Sequence, residues 1–187
     1  NVDALTASGG AYGAVLFDGR TDGNNADNMF GSVYAYNTTG VSNSFTMRYH
    51  ANSADKITGT TSLSVGTWYH YALVRRNGTV TQYINGTADG STWSHSTVMT
   101  TQTNRPYIGG WGFGNGGVLY SLNGKMSNFR MASVAVYIGN FTPPTSNLTK
   151  IDGTTFLGLQ STSSATAYTF VSSMEKSGDT YANDFNP

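Results

Sequence analysis

The sequence predicts an all-β chain, an antiparallel β-sandwich of the jelly-roll type, and three observations carry that prediction. Helix-period patterning is nearly absent along the 187 residues. Short runs rich in Thr, Tyr and Val alternate with Gly/Asn/Ser/Thr clusters, as many short strands joined by turns require. Asn77-Gly78 stands between two β-rich runs, and Asn-Gly in that setting is a strong short-range hairpin signal because both residues tolerate positive φ. Strands alternating with helices would instead have predicted a parallel sheet.

Taken in order, the predicted strands are residues 14–17, 31–36, 44–49, 67–75, 79–84, 105–108, 125–137 and 155–159. The segment Thr67-Trp68-Tyr69-His70-Tyr71-Ala72-Leu73-Val74-Arg75 is apolar on both alternating faces, which predicts a strand covered on both sides. Asn85-Gly86 marks a second turn directly after residues 79–84. Three loops interrupt the strands: 18–28, rich in acids and amides; 88–104, rich in Ser and Thr, with Trp93 and His95; and 109–117, in which six of nine residues are glycine around Trp111 and Phe113. Pro143-Pro144 excludes a central strand at that point. Residues 1–150 are expected to form the sandwich body, and 151–187 a returning strand and a polar C-terminal tail of the same domain.

Composition narrows the function classes. Ten basic and ten acidic residues give a formal net charge of zero, which argues against an electrostatic grip on nucleic acid or anionic lipid. No apolar run reaches the length that spans a bilayer as a helix. Charged residues are only 11 % of the chain, against about 25 % in an ordinary soluble domain, and Gly, Ser, Thr, Asn and twelve tyrosines take their place. Many extracellular and virion β-proteins have this composition. Cysteine is absent, whereas secreted animal modules of this size often carry a disulfide; a bacterial or viral source is expected. The first residue is Asn1 and no signal-peptide pattern follows it, so the chain is expected to be processed or a segment of something longer. Five Asn-x-Ser/Thr sequons, starting at Asn37, Asn77, Asn85, Asn140 and Asn147, are expected to arise by chance from the richness in Asn and Thr.

Four blocks in sequence carry a family resemblance: Gly66 to Arg75, Tyr83-Ile84-Asn85-Gly86, Tyr107-Ile108-Gly109-Gly110, and Asn123-Gly124-Lys125-Met126-Ser127-Asn128-Phe129-Arg130. Their order and spacing resemble the laminin-G-like/concanavalin-A-like jelly-roll superfamily. Val136-Tyr137-Ile138-Gly139-Asn140-Phe141-Thr142-Pro143-Pro144-Thr145, Thr154 to Ser161 and Asp184-Phe185-Asn186-Pro187 are further similar to phrases in tail-fibre and virion structural proteins of tailed phages, notably of marine and cyanobacterial hosts. The resemblance implies a module on the virion surface, in a tail fibre or capsid decoration. Its partners would be neighbouring virion subunits, further copies of itself, or a host-surface glycan. The alternative is a carbohydrate-binding module of a secreted bacterial or eukaryotic glycan-active protein. Two departures stand out: no clear opening strand precedes residue 14 unless 2–5 is a degenerate version, and Asn128 stands where relatives often carry an acid.

Some enzymes share such a fold, so hydrolysis has to be weighed. Glycoside hydrolysis needs two carboxylates about 5–10 Å apart. This chain has a single glutamate, Glu175, and no strand with acids at alternate positions, so no catalytic residues and no enzymatic activity are expected. There is no thiol, and no Gly-x-Ser-x-Gly elbow. His70 is expected to be a hydrogen-bonded core histidine, and His50 and His95 turn or surface residues. Asp18, Asp22, Asn24 and Asp27 offer the oxygen ligands calcium takes, although their spacing is not that of an EF-hand and such residues also build ordinary turns; calcium is the one cofactor the sequence raises. For glycan binding, Trp111 and Phe113 in the glycine loop, with Trp93 and Asn115, are the candidate stacking platform.

Overall fold

The computed structural model describes residues 1–8, 11–20, 31–37, 44–97, 107–112, 118–119, 121–160 and 168–170. Among them every regular element is a strand, and every strand pairing is antiparallel. This is the antiparallel β-sandwich that the sequence predicts. The chain divides into two compact units, Asn1–Lys125 with Gly139–Thr142, and Met126–Ile138 with Pro143–Pro187.

After β1 (Val2–Ala4), which stands outside it, the first sheet of the larger unit is built from β2 (Thr6–Ser8), β3 (Ala11–Asp18), β4 (Ser32–Asn37), β5 (Ser44–Ala51), β6 (Ala54–Thr58) and β7 (Leu63–Ser64). β3, β4, β5 and β6 are neighbours in that order, β2 joins β3, and β7 joins β5. The second sheet holds β8 (Tyr71–Arg76), β9 (Thr79–Ile84), β10 (Thr87–Ala88) and β11 (Trp93–Ser94), all paired with β9. Of the shorter elements, β12 (Tyr107–Ile108) pairs with β3, β13 (Trp111–Gly112) with β14 (Val118–Leu119), and β15 (Asn123–Gly124) with β1. Val2–Ala4 therefore does form an opening strand, and Val2 and Leu5 are buried in the core.

Turn chemistry fixes the registers. Asn77 and Gly78 sit at φ 49° and 74°, and Asn85 and Gly86 at 48° and 80°, the paired positive values that a type I′ hairpin demands. A third pair, Asn52 and Ser53 at 45° and 56°, turns β5 into β6 where the sequence carried no Asn-Gly signal. β8 begins at Tyr71 rather than at residue 67. The His70 amide donates to the Asn85 side chain over 2.8 Å and the Tyr69 hydroxyl accepts from the Ser64 amide. Trp68 is consequently 54 % exposed, so this segment is not covered on both sides along its length.

Strand alternation places the core. β5 reads exposed or half-buried at Ser44, Thr46, Arg48 and His50, and buried at Phe45, Met47, Tyr49 and Ala51. Val33 and Ala35 from β4, Ile57 from β6, and Val80 and Ile84 from β9 complete one cluster between the two sheets. The Val, Ile, Phe and Met side chains among them each contribute about 1.5–3 kcal/mol when fully buried. One polar residue sits among them. Gln82 of β9 is fully buried and donates to the Met47 carbonyl on the opposite sheet at 3.2 Å and to Asp89 at 3.3 Å. Asp89, also buried, takes the amides and hydroxyls of Thr60 and Thr61 on its other oxygen, so the carboxylate is satisfied by five donors. On the outer side of β9, Phe141 packs against Tyr83 and His70 at 5.5 and 5.4 Å between ring centroids, and its amide donates to Gly86.

The smaller unit is a three-stranded sheet of β16 (Phe129–Ala132), β17 (Thr154–Gly158) and β18 (Tyr168–Phe170). The returning strand at 155–159 is thus present with a one-residue offset. The strand expected over 125–137 is confined to four residues, since the ladder ends where the Ser133 amide closes on Gly153. Asn128, at φ 54°, accepts the Leu148 amide with its side-chain oxygen and donates its own amide to Leu159. An amide side chain there is structural, whatever an acid does in relatives.

Candidate functional site

The face of the first sheet that turns away from the core carries Ser32, Tyr34 and Tyr36 on β4 and Thr46, Arg48 and His50 on β5, each set at two-residue spacing. Cross-strand pairing puts Tyr34 opposite Arg48, Ser32 opposite His50, and Gly13 of β3 opposite Tyr36. Asp55 of β6 is the focus of this face. It takes the Tyr34 hydroxyl at 2.5 Å, Arg48 Nη1 at 2.7 Å and His50 Nδ1 at 3.0 Å. The Arg48 guanidinium lies 3.9 Å above the centre of the Tyr36 ring, a cation–π contact. Tyr34 meets the rings of Tyr36 and His50 edge-on at 5.8 and 6.5 Å.

Electrostatics follow the hydrogen bonds. Burial alone would raise the Asp55 pKa, but the donors His50, Tyr34 and Arg48 and the Arg48 charge outweigh it and hold the carboxyl down at about 2. Burial, then the bond to the Asp55 anion, pushes the Tyr34 phenol well above its ordinary value. Asp55 is therefore an anion at neutral pH and can only accept. The groups that face it are pinned as donors.

Beside this cluster is a cavity of about 120 Å³. It is lined by Gly13 and Val15 of β3, Ser32, Tyr34 and Tyr36 of β4, and His50 and Arg20. Whole-ligand pockets measure about 300–1,000 Å³, so this one suits a substituent rather than a molecule. At its edge Arg20 and Asp18 form a buried ion pair, with Nε to Oδ1 at 2.8 Å and Nη2 to Oδ2 at 3.2 Å, and the Ser32 hydroxyl also donates to Asp18. Gly31 is needed next to it: an added Cβ would stand 2.0 Å from the His50 carbonyl oxygen, so a side chain there would displace β5 under the site.

Of the residues singled out from the sequence, the structure describes Trp93, the backbone of Trp111, and Asp18. Trp93, on β11, packs its ring 5.9 Å from Tyr49 and stacks on His95 at 4.4 Å and 22°. It is part of the packing against the core, not an open stacking surface. Trp111 lies in β13, opposite Leu119; Phe113 and Asn115 lie outside the described residues, as do Asp22, Asn24 and Asp27. Asp18 is fully buried, and its carboxylate oxygens take donors from Arg20 and Ser32. Among the described residues no group of three His, Cys, Asp or Glu is arranged to hold a metal. The histidines also differ from expectation. His95 is buried on Trp93 and His50 is a strand residue bound to Asp55. Sequence reading missed the Tyr34, Tyr36, Arg48, His50 and Asp55 face, although its period-2 spacing was visible.

Neither the curated proteins nor the solved structures gave a match. The laminin-G-type family model of the concanavalin A-like lectin/glucanases superfamily matches residues 4–137, a span that contains the first sheet, the second sheet and the whole of the Asp55 face. With the antiparallel sandwich built from those same residues, the chain belongs to the concanavalin A-like lectin/glucanase superfamily.

Proposed function

We propose that this protein is a non-enzymatic, glycan-binding module exposed on a virion, in a tail fibre or a capsid decoration. The observation that carries the glycan half is the Tyr34–Tyr36–Arg48–His50–Asp55 face. Sugars lay apolar C–H faces on aromatic rings and exchange hydrogen bonds with fixed polar groups, and here two tyrosine rings stand beside polar groups already locked by one another. Membership of a superfamily named for lectins and glucanases supports the same class. Resemblance of Phe141-Thr142-Pro143-Pro144 to phage structural proteins supports the virion setting.

Chemistry of the carboxylates supports binding over hydrolysis. A general acid must hold a proton near neutral pH. Asp55 is held down at about 2 and Asp18 is closed by Arg20 and Ser32. The test is a glycan array and whole-cell binding assay on the purified chain, with calcium and with chelator, beside Tyr36→Ala. Specific binding by the parent and its loss in Tyr36→Ala, with no release of reducing sugar, is the expected result. Binding to no glycan and to no cell would overturn it, leaving contacts with neighbouring virion subunits or with further copies of the chain as the module's role.

A further inference from the structure

The cavity beside Asp55 has a chemistry of its own, and it narrows the ligand. Its lining is mostly carbon, contributed by Val15, the strand at Gly13, Tyr34 and Tyr36. Residue 13, part of its lining, brings no side chain into it. Ala14 points into the core, so position 13 points to the opposite face, where it stands across from Tyr36. Gly13 has no positive φ that would require glycine there. Any larger residue would project into the space.

The Tyr34 and Ser32 hydroxyls at the cavity accept rather than donate, and the Arg20 guanidinium is turned to Asp18. Asp55 is an anion, so the 3.0 Å contact to His50 Nδ1 requires Nδ1 to carry the proton. Tyr34 spends its hydroxyl hydrogen on Asp55, and Ser32 spends its own on Asp18, so each retains only lone pairs. A group that fits must bring a small apolar end and an N–H or O–H donor next to it. A free sugar hydroxyl pushed against Val15 and the tyrosine rings would lose hydrogen bonds to water without replacement. An acetamido group brings a methyl for the carbon pocket and an amide N–H for an acceptor.

We infer that this cavity is the specificity pocket for the acetamido group of an N-acetylhexosamine, with Gly13 as the residue that admits its methyl. The inference rests on the glycan-binding reading and deepens it. The sugar ring would rest at the cavity mouth, against the side of Tyr36 that the Arg48 guanidinium does not cover, while the acetyl methyl enters the cavity.

The experiment titrates the purified chain with N-acetylglucosamine and N-acetylgalactosamine, and with glucose and galactose, by calorimetry and ligand-observed saturation-transfer NMR. The acetamido sugars should bind at least about tenfold more tightly than their parent hexoses, the ratio expected for one apolar group in a fitted pocket. The acetyl methyl should receive the strongest saturation. Gly13→Val should erase the preference while the circular dichroism spectrum is kept. If that variant does not fold, Gly13→Ala and the saturation pattern of the parent decide. Equal binding of hexoses and acetamido sugars, or an acetyl methyl without saturation, overturns the pocket and leaves glycan binding standing. Binding of none of the four sugars, together with an empty glycan array, overturns both.

Discussion

The Tyr34 hydroxyl reaches across β5 to donate to Asp55 at 2.5 Å, so a side chain of β4 is tied to a side chain of β6 over the strand between them. Arg48 and His50, on that intervening strand, bind the same carboxylate. Three strands thus converge on one anion, and the outer face of the sheet is braced by it.

Acid should release that brace. The folded Asp55 pKa, about 2, lies below its ordinary value of 3.8. A depressed carboxyl stabilises the fold above its unfolded pKa and loses that contribution as pH falls through the folded one. The stabilisation is therefore full above about pH 4 and gone by about pH 2. Asp55→Asn should cost about 1–2 kcal/mol at pH 7 and flatten stability across that window, as read from urea unfolding at a series of pH values. An unchanged pH profile in the variant would place the acid sensitivity in other carboxylates.

Trp93→Ala should behave as a core truncation. The ring lies between Tyr49 and His95, so removing it should cost about 2–4 kcal/mol in denaturant unfolding. Glycan affinity, measured well below the melting temperature, should not change. Loss of affinity at preserved stability would return Trp93 to the binding surface.

Asp89 holds five donors. Asp89→Ala would strand the buried Gln82 amide and the donors of Thr60 and Thr61, at about 3 kcal/mol. Asp89→Asn keeps one acceptor oxygen for the threonines but turns an NH2 toward the Gln82 amide, so about 1–2 kcal/mol of the loss should remain. Equilibrium unfolding of the two variants side by side measures the difference.

The two Asn-Gly turns should not be equivalent. Asn77 and Asn85 both occupy the left-handed region, where a Cβ-bearing residue costs about 1–2 kcal/mol and asparagine less than most. Asn85 in addition accepts the His70 amide at 2.8 Å. Asn77→Ala should cost about 1 kcal/mol and Asn85→Ala roughly twice that, since it also leaves an amide without its acceptor. Equal costs would mean that water replaces the Asn85 side chain without loss.

Local chemistry explains what was legible in the sequence. Asn77-Gly78 and Asn85-Gly86 announce their turns because Asn and Gly tolerate positive φ more readily than other residues. Asn52-Ser53 adopts the same geometry without that signature, so β5 and β6 were not read as a hairpin and Asp55 had no visible neighbours. The segment 67–70 has strand composition, yet its backbone is diverted by the Asn85 side chain, a partner fifteen residues away that periodicity does not register. The site was hidden for a related reason. Aromatics in a glycine loop attract notice one by one, whereas Tyr34, Tyr36, Arg48 and His50 are ordinary strand residues that become a site only when β6 delivers its carboxylate. Asp18, conspicuous beside other acids, instead finds a cation two residues along at Arg20.

Hydrophobic contact between two sheets resists separation but has little to say about sliding, because a greasy surface offers nearly the same embrace one residue pair along. The Gln82 side chain removes that freedom. Its amide meets one particular carbonyl, that of Met47, and a slip of the sheets would exchange that bond for a buried, unanswered donor. Met47 lies on the same strand as Arg48, so the dowel that stops shear in the interior also fixes the height at which the outer face is presented.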